Sequence, residues 1–338
     1  MRKPINFAPI APMEALLVEQ LPRGDKWQYE PKWDGFRCIA FRDREIVLQS
    51  KSEKPLTRYF PEIVSALQEA KAKRFILDGE LVVPADGHFN FDALLQRIHP
   101  AESRVRKLST ESPATYIIFD LLEDDTGKSL LEMPLAERRS RVESFFKKYL
   151  SKNASFALSP ATADPAEAQA WCNSSLGNVD GIIAKRLDLH YCAGDRSGMQ
   201  KFKWMRTADC VVGGFRYGTD STEVGSLLLG LYDDEGLLQH VGFCSGIKTS
   251  EKSSLTKKLE KLIKPPGFTG RAPGGPSRWS TERSADWKPL KPVLVIEVQF
   301  DHVSGERFRH GTGFLRWRPD KKPSQCTMTQ LIQRPHGD

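Results

Sequence analysis

Between residues 36 and 50 the chain runs apolar, then charged, then apolar again: "FRCIAF", "RDRE", "IVLQS". The pattern predicts a β-hairpin, and it makes the "KWDG" stretch just upstream the loop that feeds its first strand. Residues 58–72, "RYFPEIVSALQEAKA", carry Ile63, Val64 and Leu67 behind Pro61, as a helix entered through proline does. "RFILDGELVVP" and "ATYIIFDLL" are apolar enough for buried strands, and "FNFDALLQRIH" between them reads as a helix capped by Asn90 or Asp92. "MPLAERRSRVESFFKKYL" sets Leu135, Val142, Phe145, Phe146 and Tyr149 at helical spacing after Pro134. A strand "FALSP", a helix "PAEAQAWCNSSLG" and the strands "GIIAKR" and "MQKFKWM" bring this mixed pattern to about residue 205.

The texture then changes. "DCVVGGFR", "SLLLGLYD", "LLQHVGFC", "VLVIEVQF" and "FLRWR" are short strands between Gly, Pro and polar turns. One helix, "SSLTKKLEKLIK", is inserted among them, and "PPGFTGRAPGGPSRW" reads as a loop. Five strands and a helix fit an OB-fold barrel. The expectation is an α+β protein of two domains, residues 1–205 and 206–338, which suits a length of 338.

Composition narrows the class. With 39% hydrophobic and 28% charged residues, the chain is globular rather than disordered or fibrous. It has neither a membrane-length apolar run nor a secretory leader, so a cytoplasmic location is expected. The six cysteines form no C-x-x-C pair, which argues against a zinc ribbon or a disulfide framework and leaves them as small buried hydrophobes. A net charge of +7 suits a polyanionic partner without identifying it.

Chemistry enters through a few charged residues in or beside apolar runs. A lysine attacks phosphorus or carbonyl carbon only as its neutral amine, so Lys32 in "KWDG" needs help from elsewhere in the chain. Asp78 and Glu80, two apart in "LDGEL", face one side of a strand and call for a partner such as a metal ion or a ribose hydroxyl. "VDGIIAKR" repeats the form with Asp180 and Lys185, and Glu80 with Asp180 is a possible oxygen-donor pair for a divalent cation. Lys201 and Lys203 share a strand face, where an anion would relieve their repulsion. "GFLRWRPDKKP" aligns Phe314, Arg316 and Arg318 and adds Asp320 and Lys321, a combination suited to clamping phosphate. Each element alone has an ordinary reading as solvated surface charge.

Taken in order, K-x-D-G, D-G-E, "YIIFDLL", D-G-x-x-x-K, K-x-K and R-x-D-K resemble the covalent nucleotidyltransferase superfamily of DNA ligases, RNA ligases and capping enzymes. Within it, "EPKWDGFR", "SKSEKPLTRYFPEI", "LDGELV", "MPLAERR", "DGIIAKRLD" and "RFRHGTGFLRWRPDKKP" are similar to the small stand-alone ATP-dependent DNA ligases of bacteria, the C-type, and to the ligase module of ligase D. The resemblance implies a nucleotidyltransferase (ATP-grasp-like ligase) domain of antiparallel sheets and helices followed by the OB-fold. It implies ATP, with Mg²⁺ or Mn²⁺, and nicked duplex DNA as substrate. Lys32 would be the catalytic nucleophile. Glu30 and Phe119 would hold adenine, and Arg37, Lys51, Lys185, Lys201 and Lys203 the ribose and phosphates. Glu80 and Asp180 would bind the metal. Arg316, Arg318, Asp320 and Lys321 would act on the nucleotide when the barrel closes, through a hinge near Arg206 to Asp209. Two positions depart from the family: Lys51 stands where Arg is common, and Asp180 where many members carry Glu. The resemblance further implies a monomer acting on nucleoid DNA, with end-joining or repair proteins as possible partners. The alternatives are an RNA ligase or another nucleotidyltransferase, or an inactive nucleic-acid-binding protein. An NAD-dependent ligase is disfavoured, because the zinc-cysteine cluster and the N-terminal nicotinamide-reading domain are missing.

Overall fold

A computed structural model describes residues 8–85, 88–171, 179–274 and 286–332. The chain divides into two compact units, Met1–Lys203 and Trp204–Asp338. The first unit carries eleven described strands: β1 (Leu16–Val18), β2 (Trp27–Pro31), β3 (Phe36–Arg42), β4 (Ile46–Ser50), β5 (Phe75–Val82), β6 (Pro84–Ala85), β7 (His88–Phe89), β8 (Thr115–Glu123), β9 (Phe156–Leu158), β10 (Gly181–Arg186) and β11 (Met199–Lys203). Its helices are α1 (Pro61–Glu69), α2 (Phe91–Gln96), α3 (Glu102–Glu111), α4 (Leu135–Tyr149) and α5 (Pro165–Ala170).

Two sheets organise this unit. One has the order β4-β3-β5-β8-β9 and the other β1-β11-β10-β2. Strand alternation assigns the faces of the five-stranded sheet. Cys38 and Ala40 of β3, Phe75, Leu77 and Leu81 of β5, and Tyr116 and Ile118 of β8 join one core with α1 and α4. Ile39 and Phe41 turn the other way and meet Met199 and Ile183 of the second sheet. Asp78 and Glu80 have the parity of Ile76, which belongs to that second core, so both carboxylates face the inter-sheet side.

Local signals account for the helix boundaries. Of the two candidate caps for α2, Asn90 is the one used, its Oδ1 accepting from the Ala93 amide at 2.9 Å. Asp164 caps α5 in the same way, and the rest of that predicted helix beyond Trp171, Cys172 included, lies outside the described residues. The helix α3 escaped the periodicity reading because only Val105 on it is buried. Two i,i+4 ion pairs, Arg106 with Glu102 and Lys107 with Glu111, lie along it, each worth about 0.3–0.5 kcal/mol on an exposed helix.

The second unit contains β12 (Arg206–Tyr217), β13 (Val224–Tyr232), β14 (Leu238–Cys244), β15 (Lys288–Pro289), β16 (Val295–Phe300), β17 (Val303–Ser304), β18 (Arg307–Phe308) and β19 (Gly313–Trp317), with helix α6 (Thr249–Glu260). The order β14-β13-β12-β16-β19 forms one sheet. A bridge between Cys244 and Thr312 joins its two ends, as an OB-type barrel requires. Leu255 and Leu259 of α6 pack into the barrel core. Arg206 to Asp209, the stretch expected to act as a hinge, form the start of β12, paired residue for residue with Phe300 to Glu297. The loop from Pro265 onward has no helix or strand through Gly274, and its remainder up to residue 285 lies outside the described residues. The five described cysteines are free and buried.

One buried ion pair ties α4 to the five-stranded sheet. Arg138 donates from Nε and Nη2 to the two Asp120 oxygens, both at 2.9 Å, with each side chain almost fully buried. Removing one partner strands a charge, at a cost of about 3–5 kcal/mol. Asp120→Ala is therefore expected to lower stability by that amount in urea unfolding; a loss under about 1 kcal/mol would mean that Arg138 finds water or another acceptor.

Candidate active site

Lys32 emerges from β2, a strand that its polar residues Gln28 and Glu30 hid from the hydrophobic pattern. Its backbone is pinned on both sides. The Lys32 amide donates to the Gly181 carbonyl at 2.9 Å, and the Asp180 amide donates back to the Lys32 carbonyl at 3.0 Å. The two D-G elements thus meet, and Lys32 Nζ donates to Asp180 Oδ2 at 3.1 Å. Their glycines serve close backbone approach. A Cβ on Gly35 would collide with the Leu81 carbonyl and the Glu80 side chain, and one on Gly181 with the Phe202 carbonyl. What Gly35 admits is β5, which brings Glu80 beside the lysine loop.

Glu30, Lys32, Arg37, Lys51, Glu80, Phe119, Lys185 and Lys201 line one cleft of about 190 Å³ in the first unit. Sequence positions up to 171 residues apart, Glu30 to Lys201, converge because their strands belong to the two facing sheets. Asp180 reaches this cleft through Lys32. Lys203 sits two residues beyond Lys201 on β11, at the position opposite Gly181.

The charges in the cleft are arranged unequally. Arg37 gives a bidentate pair to Asp78, both contacts 2.6 Å, and Asp78 also accepts from the Tyr191 hydroxyl at 2.7 Å. Asp78 is completely buried and serves to hold Arg37, which leaves Glu80 as the carboxylate of that strand for a ligand. Tyr191, in "LHYCAGD", went unread because nothing in its spacing marks it. Lys185 was expected among the phosphate-facing cations. It lines the cleft and is buried, 2.8 Å from Glu30, with Nζ 4.4 Å from the Phe119 ring centroid. The Arg37 guanidinium carbon lies at the same 4.4 Å from that ring. Lys51 is exposed at the rim and pairs with Glu14 at 3.4 Å, a contact that water screens. Trp33 packs edge-on against Phe89 and donates to Ser159 Oγ at 3.0 Å, a structural role.

Two groups are held away from their ordinary ionisation. Burial pushes the Glu80 carboxyl up to about 8, against the opposing pull of Arg37 and Lys32. Burial also lowers the Lys201 ammonium, helped by the positive charge of Lys203, Lys32 and Lys51. A carboxylate short of positive charge and a lysine short of negative charge in one cleft fit a ligand bearing both: an anionic phosphate chain with a hard divalent cation. Glu80 and Asp180 are carboxylates that could give oxygen donors to such a cation.

In the second unit, Arg316, Arg318, Asp320 and Lys321 form one ion-pair network. Arg318 contacts Asp320 and Asp209, each at 2.8 Å. Lys321 contacts Asp209 at 3.3 Å, and Arg316 contacts Glu297 at 2.6 Å. Asp209 and Glu297 were not singled out from the sequence, since isolated acids at strand positions carry no spacing signal.

The comparisons agree along the chain. The family described as ATP dependent DNA ligase domain matches residues 12–203, and the ATP dependent DNA ligase C terminal region matches residues 220–321. DNA ligase C2 of Mycolicibacterium smegmatis is 43% identical, with 97% of this chain and 96% of the relative covered. DNA ligase C of Mycobacterium tuberculosis is 41% identical, over 99% and 96%. A solved Lig E DNA ligase aligns with a TM-score of 0.57 over 90% of this chain and all of its own, at 14% identity, a likeness of fold alone.

The raised Glu80 value sets a pH dependence. Below about 8 the carboxyl holds a proton that a cation must expel, so Mn²⁺ affinity is expected to rise about tenfold per pH unit towards 8 and level off above it. Calorimetric Mn²⁺ titration between pH 6 and 9 measures this, and Glu80→Gln should flatten the profile; an unchanged slope in that variant would remove Glu80 from the metal site.

Proposed function

The chain belongs to the ATP-dependent DNA ligases, and on that premise we propose that Lys32 is the residue that carries the adenylate. The enzyme uses ATP with Mg²⁺ or Mn²⁺ to seal nicks that present a 5′-phosphate and a 3′-hydroxyl, in DNA repair. Lys32 Nζ, having lost a proton, attacks the α-phosphorus of ATP. The new P–N bond makes lysyl-AMP as the α–β bridging P–O bond breaks, and pyrophosphate leaves with the electron pair. AMP then passes to the 5′-phosphate of the nick, releasing the lysine. Finally the 3′-hydroxyl attacks that activated phosphorus, and AMP departs as the phosphodiester forms.

The observation that carries this reading is the Lys32–Asp180 pair at 3.1 Å in a cleft that also gathers Glu80 and Lys201. Asp180 must release the Lys32 ammonium before the amine can attack, and Asp180 and Glu80 would hold a divalent cation that, when bound, would supply Lewis-acid charge to the phosphates. Lys201 and Lys203 neutralise the phosphate oxygens, and Arg37, oriented by Asp78, faces the ribose and α-phosphate. Lys51 adds charge at the rim. Glu30, Phe119 and Lys185 form the adenine end, where Lys185 is a support for the base pocket rather than a phosphate ligand. Arg316, Arg318, Asp320 and Lys321 act on the departing pyrophosphate. No described helix is long and apolar enough to cross a membrane. The proposed setting is the cytoplasm, where the enzyme works as a monomer on nucleoid DNA beside end-joining or repair proteins.

Lys32→Ala is expected to abolish acid-stable labelling by α-labelled ATP while DNA affinity stays within about threefold, as a change of one positive charge permits. Normal labelling of that variant would move the nucleophile elsewhere. Parallel reactions with labelled GTP and with nicked RNA test the alternatives; sealing of RNA in preference to DNA would replace this reading. Arg318→Ala should slow self-adenylylation at least about tenfold more than sealing of a pre-adenylylated nick, as loss of a charge-assisted contact made in one step only requires.

A further inference from the structure

We infer that Asp209 is a positioning residue for the pyrophosphate-releasing step, holding Arg318 and Lys321 side by side. The inference rests on the reading of those two residues as the pyrophosphate clamp. Asp209 stands directly opposite Glu297 across the β12–β16 pair. Two like charges facing each other on adjacent strands are destabilising unless a cation lies between them. Arg318 is that cation, with Nη1 at 2.8 Å from Asp209 and 3.6 Å from Glu297. The other Asp209 oxygen takes Lys321 Nζ at 3.3 Å. One carboxylate therefore sets the spacing of two cations that come from opposite sides of Pro319.

The carboxylates around Arg318 differ in how firmly they are held. The Asp209 side chain is 10% exposed and that of Asp320 63%. Gln330 fixes the Asp209 backbone on both sides, accepting from its amide at 2.9 Å and donating to its carbonyl at 3.1 Å. Asp320 can swing away into water when a polyanion arrives, and its contacts to Arg318 are exchanged for phosphate oxygens. Asp209 cannot, so it remains as the anchor that keeps both cations in place while the phosphate binds. A carboxylate holding a guanidinium and an ammonium loses little by sharing them, because each retains further N–H donors for phosphate.

Asp209→Asn keeps the shape and removes the charge. In single-turnover labelling with α-labelled ATP it is expected to slow self-adenylylation at least tenfold, with sealing of a pre-adenylylated nick within twofold of the parent. Pyrophosphate-driven removal of AMP from the labelled enzyme should need at least fivefold more pyrophosphate for half-maximal rate, a parameter that a reduced fraction of folded protein does not move. An equal fall in labelling and sealing, or an unchanged pyrophosphate requirement, overturns the inference. If Arg318→Ala keeps its selective defect while Asp209→Asn behaves as the parent, Asp209 alone is excluded. If neither variant slows labelling, the clamp reading fails and this inference falls with it.

Discussion

Buried charge between the two sheets of the first unit is the constraint on which its site depends. Asp78 is completely buried, and a carboxylate there is tolerable only when its oxygens are filled. Arg37 fills them from β3 and Tyr191 from the segment after β10, so the pair also fixes the distance between the sheets. The Tyr191 hydroxyl in turn accepts from the Met13 amide at 3.2 Å, and its ring lies 5.6 Å from the Arg138 guanidinium carbon, which is bound to Asp120. Each carboxylate in this chain of contacts has a cation partner. The cleft can therefore form where these groups stop, with walls that cannot collapse onto one another without stranding a charge.

Inside the cleft Glu80 and Lys201 depart from that pattern. Glu80 and Lys201 are kept away from their usual ionisation, and Lys32 is tied to Asp180. Groups that a structural network would have paired are left poised for an anion and a cation. That unevenness, satisfied charges behind and poised charges in front, gives the catalytic assignment a physical basis beyond likeness of sequence.

The second unit handles charge differently. Its clamp residues are matched by Asp209, Glu297 and Asp320, so Arg316, Arg318 and Lys321 are each in an ion pair within the barrel. The barrel core, drawn from residues between Ala208 and Leu331, is apolar and supports this network without entering it. In the clamp proposed above, the exposed Asp320 gives way to phosphate while the buried Asp209 stays.

Apolar runs were sufficient for β3, β4, β5, β8 and the barrel strands β12, β13, β14 and β16, because most of each strand is buried, and helical spacing was sufficient for α1 and α4, which bury one stripe. The order of the charged motifs was sufficient to indicate the family and to gather Lys32, Glu80, Phe119 and Lys201 as candidates. The helix α3 and the strand β2 were not legible, since surface ion pairs support the one and buried polar residues the other. Lys185 illustrates the limit most directly: its spacing from Asp180 marked it as chemical, but only the packing of β10 against β2 decided that it faces Glu30 and Phe119. Tyr191 and Asp209 have no periodic signature at all, and the spacing that marked Asp78 did not say that it would hold Arg37 rather than a ligand. Local pattern is a property of neighbours along the chain, and it determined the elements and the candidate chemistry. Which acid pairs with which base is settled between residues tens to hundreds of positions apart, by burial that demands compensation, and that belongs to the tertiary structure alone.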